Sequence, residues 1–327
     1  MMEEIERILK ERGKQIEKAL ETAVPRKGVA NLNDAVWYHL DSGGKRIRPV
    51  LAILTCEALG GDVEKAMPFA AACELLHNWL LVHDDIEDGD RMRRGKPAVW
   101  AKYGISHGIN IGDFMSEKVY ELVVESGFSD STKLELINEI VETCVKTAEG
   151  QAMDMNLRGE SHPSEKDYMK MIEMKTAWYL TLPMVGGAIA AGRRDLAQKI
   201  KAYGMKVGPA FQMADDFLDV TKGKGRGEIG SDIKEGKRSI MVVHCINECD
   251  ESERKRMLEI LDKPREDTSG EDVRYVLSLF TKYGSLEYAR KKAKSLADEG
   301  RAISSSLPPS LGRILDGFAE YLVERKA

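Results

Sequence analysis

Apolar positions fall at helical spacing through most of the chain. Ile5, Ile8, Leu9, Ile16, Ala19 and Leu20 stand mostly three, four or seven residues apart, which predicts an amphipathic helix over residues 3–22 despite Gly13, ending near Val24-Pro25. Asn33 is placed to cap a second helix through Leu40, and the segment Asp41 to Pro49 breaks the pattern with two glycines and a proline. A buried helix is expected from Val50 to Leu59, stopped by Gly60-Gly61, with Asp62 as a cap for the next helix. That long helix runs from Met67 to about Asp88. Further on, Ala177 to Ala191 is apolar enough to be buried, and Pro183 with Gly186-Gly187 should kink it or let a neighbour approach closely. Helical patterns at 252–262, 271–283, 285–305 and 310–325 carry no recognisable chemistry and are assigned to packing.

Composition agrees: Leu, Ala, Glu, Lys, Arg and Met dominate while aromatic residues are 6%, so helices are favoured over sheet. No linker argues for a cut, and the expectation is an all-α chain forming a single domain over residues 1–327, large enough to hold a deep pocket. The net charge of -5 is spread through mixed-sign segments, which leaves no electrostatic footprint for nucleic acid. Five cysteines without small-scaffold spacing point to reduced thiols in a cytoplasmic compartment, and Cys245 and Cys249 lack the companion ligands of a metal site. The charged N-terminus does not fit a signal peptide, and the apolar run Leu182 to Ala191 is far short of the roughly 20 residues needed to span a bilayer, so no transmembrane segment is expected.

Chemistry concentrates where the long helix ends. Asp84, Asp85 and Asp88 come after an apolar helical segment and precede a basic exit, Arg91 to Gly95, and carboxylates in such a place need cations to offset their desolvation. On a helical wheel Asp88 lies about 40° and His77 about 20° from Asp84, so the three share a stripe, with Asp85 round the side. Oxygen-only ligands at this spacing suit Mg2+ shared with substrate phosphates better than zinc. A solvated acidic helix end is the bland alternative for one such cluster. The same pattern recurs at Asp215, Asp216 and Asp219, after another apolar segment. Two acidic clusters in one cavity would repel without metal, so the repetition favours several Mg2+ ions held between two facing helices, clamping a diphosphate as it leaves.

Other segments supply cations. The Gly43-Gly44 turn exposes backbone N–H groups, and Lys45 and Arg48 reach its side, which suits an anion such as diphosphate; a solvated basic turn is the alternative. Lys175, entering an apolar helix beside Thr176, needs an anionic partner. Gln151 and Asp154 stand three apart in the middle of the chain, and Gln151 reads equally as a satisfied core amide. The glycine-rich basic stretch Thr221 to Gly230 reads as a lid over phosphate or as a plain surface loop, and it is no P-loop.

Taken in order, Gly43-Gly-Lys-Arg-Ile-Arg-Pro49, His77, Asp84-Asp-Ile-Glu-Asp88 with Arg93-Arg94-Gly95, Gly150-Gln151, Lys175-Thr176, Phe211-Gln212 with Asp215-Asp-Phe-Leu-Asp219, and Gly236-Lys237 resemble the trans-polyprenyl diphosphate synthases, the farnesyl and geranylgeranyl diphosphate synthase family. The resemblance spans roughly residues 30 to 245. It implies a homodimeric isoprenoid-synthase helical bundle with a central substrate cavity. It assigns Lys45, Arg48, His77 and Arg94 to isopentenyl diphosphate, Arg93, Lys175, Thr176, Gln212 and Lys237 to the allylic diphosphate, and the two Asp clusters to three Mg2+ ions. One departure is Gly227, which stands where such enzymes often carry a lysine; Lys224 or Arg226 is the candidate replacement.

The implied reaction is ionisation of the allylic diphosphate, attack on the allylic cation by the double bond of isopentenyl diphosphate, and loss of a proton, with the departing diphosphate as the base. No Ser or Cys nucleophile is required. Product length in this family is often set at the fourth and fifth positions before the first Asp, here Leu80 and Trp79. The wheel instead turns Trp79 about 140° from Asp84 and brings Leu80 and Leu76 nearer its face. Trp79 or these neighbours are expected to limit the product to farnesyl or geranylgeranyl diphosphate. A terpene cyclase is the nearest alternative, but it would leave the Gly43–Pro49 segment without a second diphosphate. A metal-dependent phosphohydrolase built on His83-Asp84 lacks further histidine ligands. A non-catalytic subunit of a heteromeric synthase should have lost acidic residues that this chain keeps.

Overall fold

The computed structural model describes residues 2–221 and 229–324. Among them the chain is helical apart from one small hairpin. The helices are α1 (Met2–Ala23), α2 (Asn33–Leu40), α3 (Ile47–Ala58), α4 (Val63–Glu87), α5 (Val99–Tyr103), α6 (Ile105–Val124), α7 (Asp130–Leu157), α8 (Glu165–Ile172), α9 (Trp178–Ala190), α10 (Ala197–Thr221), α11 (Ser231–Lys234), α12 (Ile240–Glu248), α13 (Glu251–Leu261), α14 (Gly270–Lys282), α15 (Ser285–Ser304) and α16 (Pro309–Glu324). A π-helical turn, Glu173–Ala177, joins α8 to α9. Strands β1 (Met92–Arg93) and β2 (Lys96–Pro97) pair antiparallel, with Arg93 opposite Lys96.

The chain divides into two compact units. The first comprises Met1–Thr143, Tyr179–Ala202 and Ile303–Phe318, and the second Cys144–Trp178, Tyr203–Ala302 and Ala319–Ala327.

Helix α4 is the axis of the first unit, packed by α3, α6, α1 and α5. Its start is fixed by Asp62, whose carboxylate accepts from the N–H groups of Glu64 and Lys65 at 3.0 and 3.3 Å. The small residues Ala70, Ala71 and Ala72 are wholly buried in it, with Phe69, Leu75, Leu76 and Val82. Neighbours come close where glycine permits: a Cβ on Gly186 of α9 would lie 2.0 Å from the Phe69 ring, and one on Gly187 would lie 2.5 Å from the Ala52 carbonyl oxygen. Close approach, one of the two outcomes expected for these glycines, is therefore observed. Helix α4 ends in a Schellman turn: Asp88 is the C-cap, Gly89 takes φ +66°, and the Asp90 N–H reaches the Asp85 carbonyl at 2.8 Å.

Three boundaries differ from expectation. Helix α4 starts at Val63, directly after its Asp62 cap, rather than at Met67. Asn33 is not a cap. It lies inside α2, and its side chain accepts from the Val29 N–H and donates to the Pro25 carbonyl, tying down the preceding loop instead. Helix α3 starts before Val50, at Ile47, because Pro49 in a first turn costs no hydrogen bond.

The second unit has its own core, in which Tyr168, Met171 and Ile172 of α8 join Met213 of α10, Ile240 to Val243 of α12, Val276 and Phe280 of α14, and Ala289 and Ala293 of α15. Its helices begin on side-chain caps from Ser164, Asp250 and Ser269, the last a full capping box with Asp272. No helix among the described residues is long and apolar enough to cross a membrane.

Candidate active site

In the first unit the acidic cluster occupies the last turn of α4 and its cap. Asp84 is partly exposed, Asp88 is buried, and Asp85 is fully buried. Carboxylates at a helix C-terminus sit at the negative end of the helix dipole, so this cluster needs cations for two reasons, burial and the dipole. The β1–β2 hairpin supplies one. Arg94 (φ +52°) and Gly95 (φ +76°) form its two-residue turn, a left-handed pair that sends Arg93 and Arg94 to different targets. Arg93 donates through Nε to Asp85 Oδ1 at 2.7 Å, with a second, shorter contact from Nη2, and stands 3.6 Å from both Asp84 and Asp90. Burial pushes the Asp85 carboxyl up to about 6 against the opposing pull of Arg93. Its Oδ2 has no hydrogen-bond partner.

Arg94 turns instead to the glycine turn, donating to the Gly43 carbonyl and lying against Gly44, where a Cβ would be 3.1 Å from its Nη2. Gly43 (φ +100°), Gly44 (φ +134°) and Arg46 (φ +50°) give this turn its shape. Arg46 is not a ligand candidate: it is buried and bonded to Glu74 at 2.7 Å and to the Leu40 carbonyl at 3.0 Å, anchoring the turn to α4. Arg48 stacks over the Tyr179 ring at 4.1 Å, and the His77 ring lies parallel to the same tyrosine with centroids 6.0 Å apart. Burial, with Arg48 and Arg94 close by, holds the His77 imidazole well below its usual range. His77 Nδ1 and Arg48 Nε are buried without hydrogen-bond partners. Thus Arg48, His77 and Arg94 gather near the Gly43-Gly44 turn. Lys45 is next along that turn, exposed. The buried, unpartnered His77 Nδ1 and Arg48 Nε, with the Arg94 guanidinium close by, fit an anion.

The α6-facing side of α4 holds Trp79, which donates its indole N–H to His83 Nδ1 at 3.2 Å. Leu76 is buried and Leu80 partly buried on the same helix.

In the second unit the acidic cluster again lies at a helix C-terminus, that of α10. Its members are differently engaged. Asp216 accepts from the Tyr168 hydroxyl at 2.8 Å on one oxygen and from Gln212 Nε2 at 2.8 Å on the other. The Thr176 hydroxyl donates to Gln212 Oε1 at 2.7 Å, so Thr176, Gln212, Asp216 and Tyr168 form one chain of hydrogen bonds. Burial and the Asp216 charge raise the Tyr168 phenol well above its usual range, which keeps it a donor. Asp219, fully buried, accepts the Asp232 N–H at 3.0 Å and so shapes the turn ahead of α11. Asp215 is partly exposed.

Lys175 projects from the π-helical turn, a distortion frequent at functional sites, and meets the anionic partner its burial demands: Asp154 Oδ2 at 2.6 Å. Gly150, one turn before Asp154 on α7, lets the two backbones come together, since a Cβ there would be 2.2 Å from the Lys175 backbone nitrogen. Gln151 is beside it, half-buried. Lys237 comes directly after Gly236 (φ +69°) and stands 2.5 Å from Glu235 and 3.6 Å from Asp232. The turn is pinned by fully buried Arg238, which donates to Glu160, Gly236 and Asp262. Gly227, Lys224 and Arg226 lie outside the described residues, as does most of the expected lid.

Tyr168, Tyr179, Glu74 and Arg238 are supports that the sequence reading missed. Tyr168, Glu74 and Arg238 sit at ordinary buried positions and Tyr179 at a half-buried one, and only the tertiary partner reveals the use of each. Among the described residues no three acidic, imidazole or thiol groups converge into a ready cage for a metal. Mg2+ is commonly held through one or two carboxylates plus substrate phosphates rather than by an all-protein cage. The partly exposed Asp84 and Asp215 carboxylates, each towards the negative end of its helix, fit such an ion.

The sequence profile of the polyprenyl synthetase family matches residues 29–280. The chain is 39% identical over 293 residues to the short chain isoprenyl diphosphate synthase of Methanothermobacter thermautotrophicus, covering 88% of each chain. It is 32% identical to the geranylgeranyl diphosphate synthase of Methanosarcina mazei, with 97% of each covered. It superposes on the crystal structure of geranylgeranyl pyrophosphate synthetase from Pyrococcus horikoshii with a TM-score of 0.90, 34% identity and 99% of both chains covered.

Proposed function

The chain belongs to the polyprenyl synthetase family, has the all-α isoprenoid-synthase fold and is a prenyl-transferring enzyme, and on that premise we propose that it joins isopentenyl diphosphate to an allylic diphosphate (dimethylallyl, geranyl or farnesyl) to make farnesyl or geranylgeranyl diphosphate. The observation that carries this reading is a DDxxD cluster near the C-terminal end of each of α4 and α10, the first bonded to Arg93 and the second linked through Gln212 to Thr176, the neighbour of Lys175.

Asp84 and Asp88 in the first unit and Asp215 in the second are the carboxylates we assign to Mg2+. Asp85 supports them by holding Arg93, and Asp216 and Asp219 by holding Gln212 and the turn before α11. Magnesium, when bound, supplies the charge neutralisation that makes diphosphate a leaving group. Lys45, Arg48, His77 and Arg94 hold the diphosphate of isopentenyl diphosphate, with Tyr179 fixing Arg48 and His77 from behind. Arg93, Lys175, Thr176, Gln212 and Lys237 orient the allylic diphosphate, and their preset hydrogen bonds mean little reorganisation is left for the reaction itself. The C–O bond of the allylic diphosphate breaks with its electrons leaving on oxygen; the double bond of isopentenyl diphosphate closes the new C–C bond; the proton is lost to the departed diphosphate. Leu76, Leu80 and Trp79 keep water from the cation and bound the chain that grows.

Two further readings belong to the proposal. The protein works as a homodimer, supported by exposed apolar side chains on α6 and α7, and in a reducing cytoplasmic compartment, supported by five unbridged cysteines. The deciding experiment is incubation of the purified protein with Mg2+, labelled isopentenyl diphosphate and each allylic primer in turn. A prenyl diphosphate ladder ending at one length is expected. No extension of any primer would overturn the proposal.

A further inference from the structure

His83 stands between the acidic cluster and the apolar part of α4, and none of the roles above uses it. Three contacts fix its ring. The Trp79 indole, which can only donate, gives its N–H to His83 Nδ1 at 3.2 Å, with the two rings edge to face at 83°. Nδ1 is therefore the bare nitrogen, and Nε2 carries the proton. Nε2 faces the Ile109 carbonyl oxygen at 3.2 Å, with Asp113 Oδ1 at 3.7 Å, both on α6. The ring also fills the place of a missing side chain: a Cβ on Gly112 of α6 would lie 2.0 Å from Nε2. A glycine in mid-helix is unfavourable relative to alanine, and here it makes the seat for the imidazole.

We propose that His83 is a positioning residue for product length. Seated on α6 at Gly112, it accepts the Trp79 indole N–H and fixes the rotamer of Trp79, and so the depth at which the growing chain is stopped. The inference rests on the reading of Trp79 as the product gauge. An indole has only two side-chain torsions, so one hydrogen bond at its far edge, held from a neighbouring helix, is enough to choose between staggered positions. Without it Trp79 can swing, and the boundary it forms loses a defined depth. The hydrogen bond is made within α4, from Trp79 to the residue one turn on, and α6 acts only by seating the His83 ring.

The test compares full-length Trp79→Ala, His83→Ala, His83→Asn and Gly112→Ala with the parent enzyme. Each is given Mg2+, isopentenyl diphosphate and a geranyl primer, and products are resolved by chromatography. The readout is the ratio of longer products to the parent product, which does not depend on total turnover. Trp79→Ala and His83→Ala should both raise that ratio, the latter about fivefold, the scale of one lost hydrogen bond. His83→Asn, which keeps an acceptor near the Nδ1 position, should restore the parent ratio. A parent-like ladder from His83→Ala beside a lengthened one from Trp79→Ala would overturn the role of His83 and leave the gauge standing. An unchanged ladder from Trp79→Ala would remove the gauge itself. Should His83→Ala fail to fold by circular dichroism, Gly112→Ala displaces the ring by steric intrusion, and it too should raise the ratio; a parent ladder from it overturns the proposal.

Discussion

Lys175 Nζ lies 2.6 Å from Asp154 Oδ2, and this contact fastens the π-helical turn to α7. Burial acts to raise the Asp154 carboxyl, but Lys175 and Lys237 outweigh it and hold the group below its usual range. A carboxyl depressed in the folded state contributes stability that is complete above its unfolded value of about 3.9 and is lost as pH falls below it. Asp154→Asn should therefore melt below the parent at neutral pH, and the gap between the two melting temperatures should close as pH drops under about 4. A gap that stays constant down the acid range would contradict the pairing. Because Lys175 loses its charged partner, the variant should also bind the allylic substrate differently, seen as a changed KM for that substrate in steady-state assays.

Tyr168 and Gln212 occupy both oxygens of Asp216. Tyr168→Phe removes only the hydroxyl and leaves a buried carboxylate oxygen short of a donor, at a cost of about 1–3 kcal/mol by denaturant unfolding. The larger consequence is for the chain through Gln212 to Thr176. With the Tyr168 contact to Asp216 lost, kcat should fall about tenfold, since misplacing contacts to a leaving group is felt chiefly in the transition state. Equal loss in stability with unchanged kcat would confine Tyr168 to packing.

The long helices were legible because their apolar positions repeat over many turns, and Asp62, Gly186 and Gly187 do what their types suggested. Lys175 also announced its need for an anion, though not that Asp154 would meet it. The β1–β2 hairpin was not legible: strands of two residues hold too little alternation to register against a helical background, and Arg94-Gly95 is a weak turn signal beside Asn-Gly. The π-helical turn over Glu173–Ala177 has no local signature in the sequence. Asn33 looked like a cap because its residue type fits one, and the loop from Pro25 to Val29 competed successfully for its amide. For the candidate site, residue types and spacing pointed to the two acidic clusters, Lys45, Arg48 and Lys175, the family resemblance added His77, Arg93, Arg94, Gln212 and Lys237, and the aromatic and carboxylate supports, Tyr168, Tyr179 and Glu74, depend on contacts distant in sequence.

Chelation should separate the members of the first acidic cluster. With EDTA prenyl transfer should cease and return on adding Mg2+, because diphosphate departure depends on the ion. Asp84→Ala, which removes a partly exposed carboxylate assigned to metal, should lower kcat about 100-fold or more, the scale seen when a charge-stabilising group is lost. Asp85→Asn should act differently. Its side chain is buried against Arg93, so the variant should raise the KM for the allylic substrate and shift the Mg2+ requirement little. The assignment of Asp85 as a support fails if it raises the Mg2+ requirement as strongly as Asp84→Ala.

The exposed apolar side chains of α6 and α7 give the last prediction. Ile105 and Ile109 are 54% and 46% exposed, and on α7 Leu134, Val141 and Val145 are 59%, 44% and 49% exposed at spacings of seven and four, which puts them on one helical stripe. Isolated exposed apolar residues are ordinary, but a stripe several turns long is costly in water and is the usual mark of an interface. A second copy of the chain is the partner that the homodimer reading supplies, and a stable dimer should cover on the order of 1,200–2,000 Å² or more in total. Leu134→Glu combined with Val141→Glu puts two charges where that interface would exclude water, so light scattering should show the parent at twice the chain mass and the double variant at the chain mass. A parent protein that is monomeric at micromolar concentration would remove the dimer and leave the stripe to be explained by another partner.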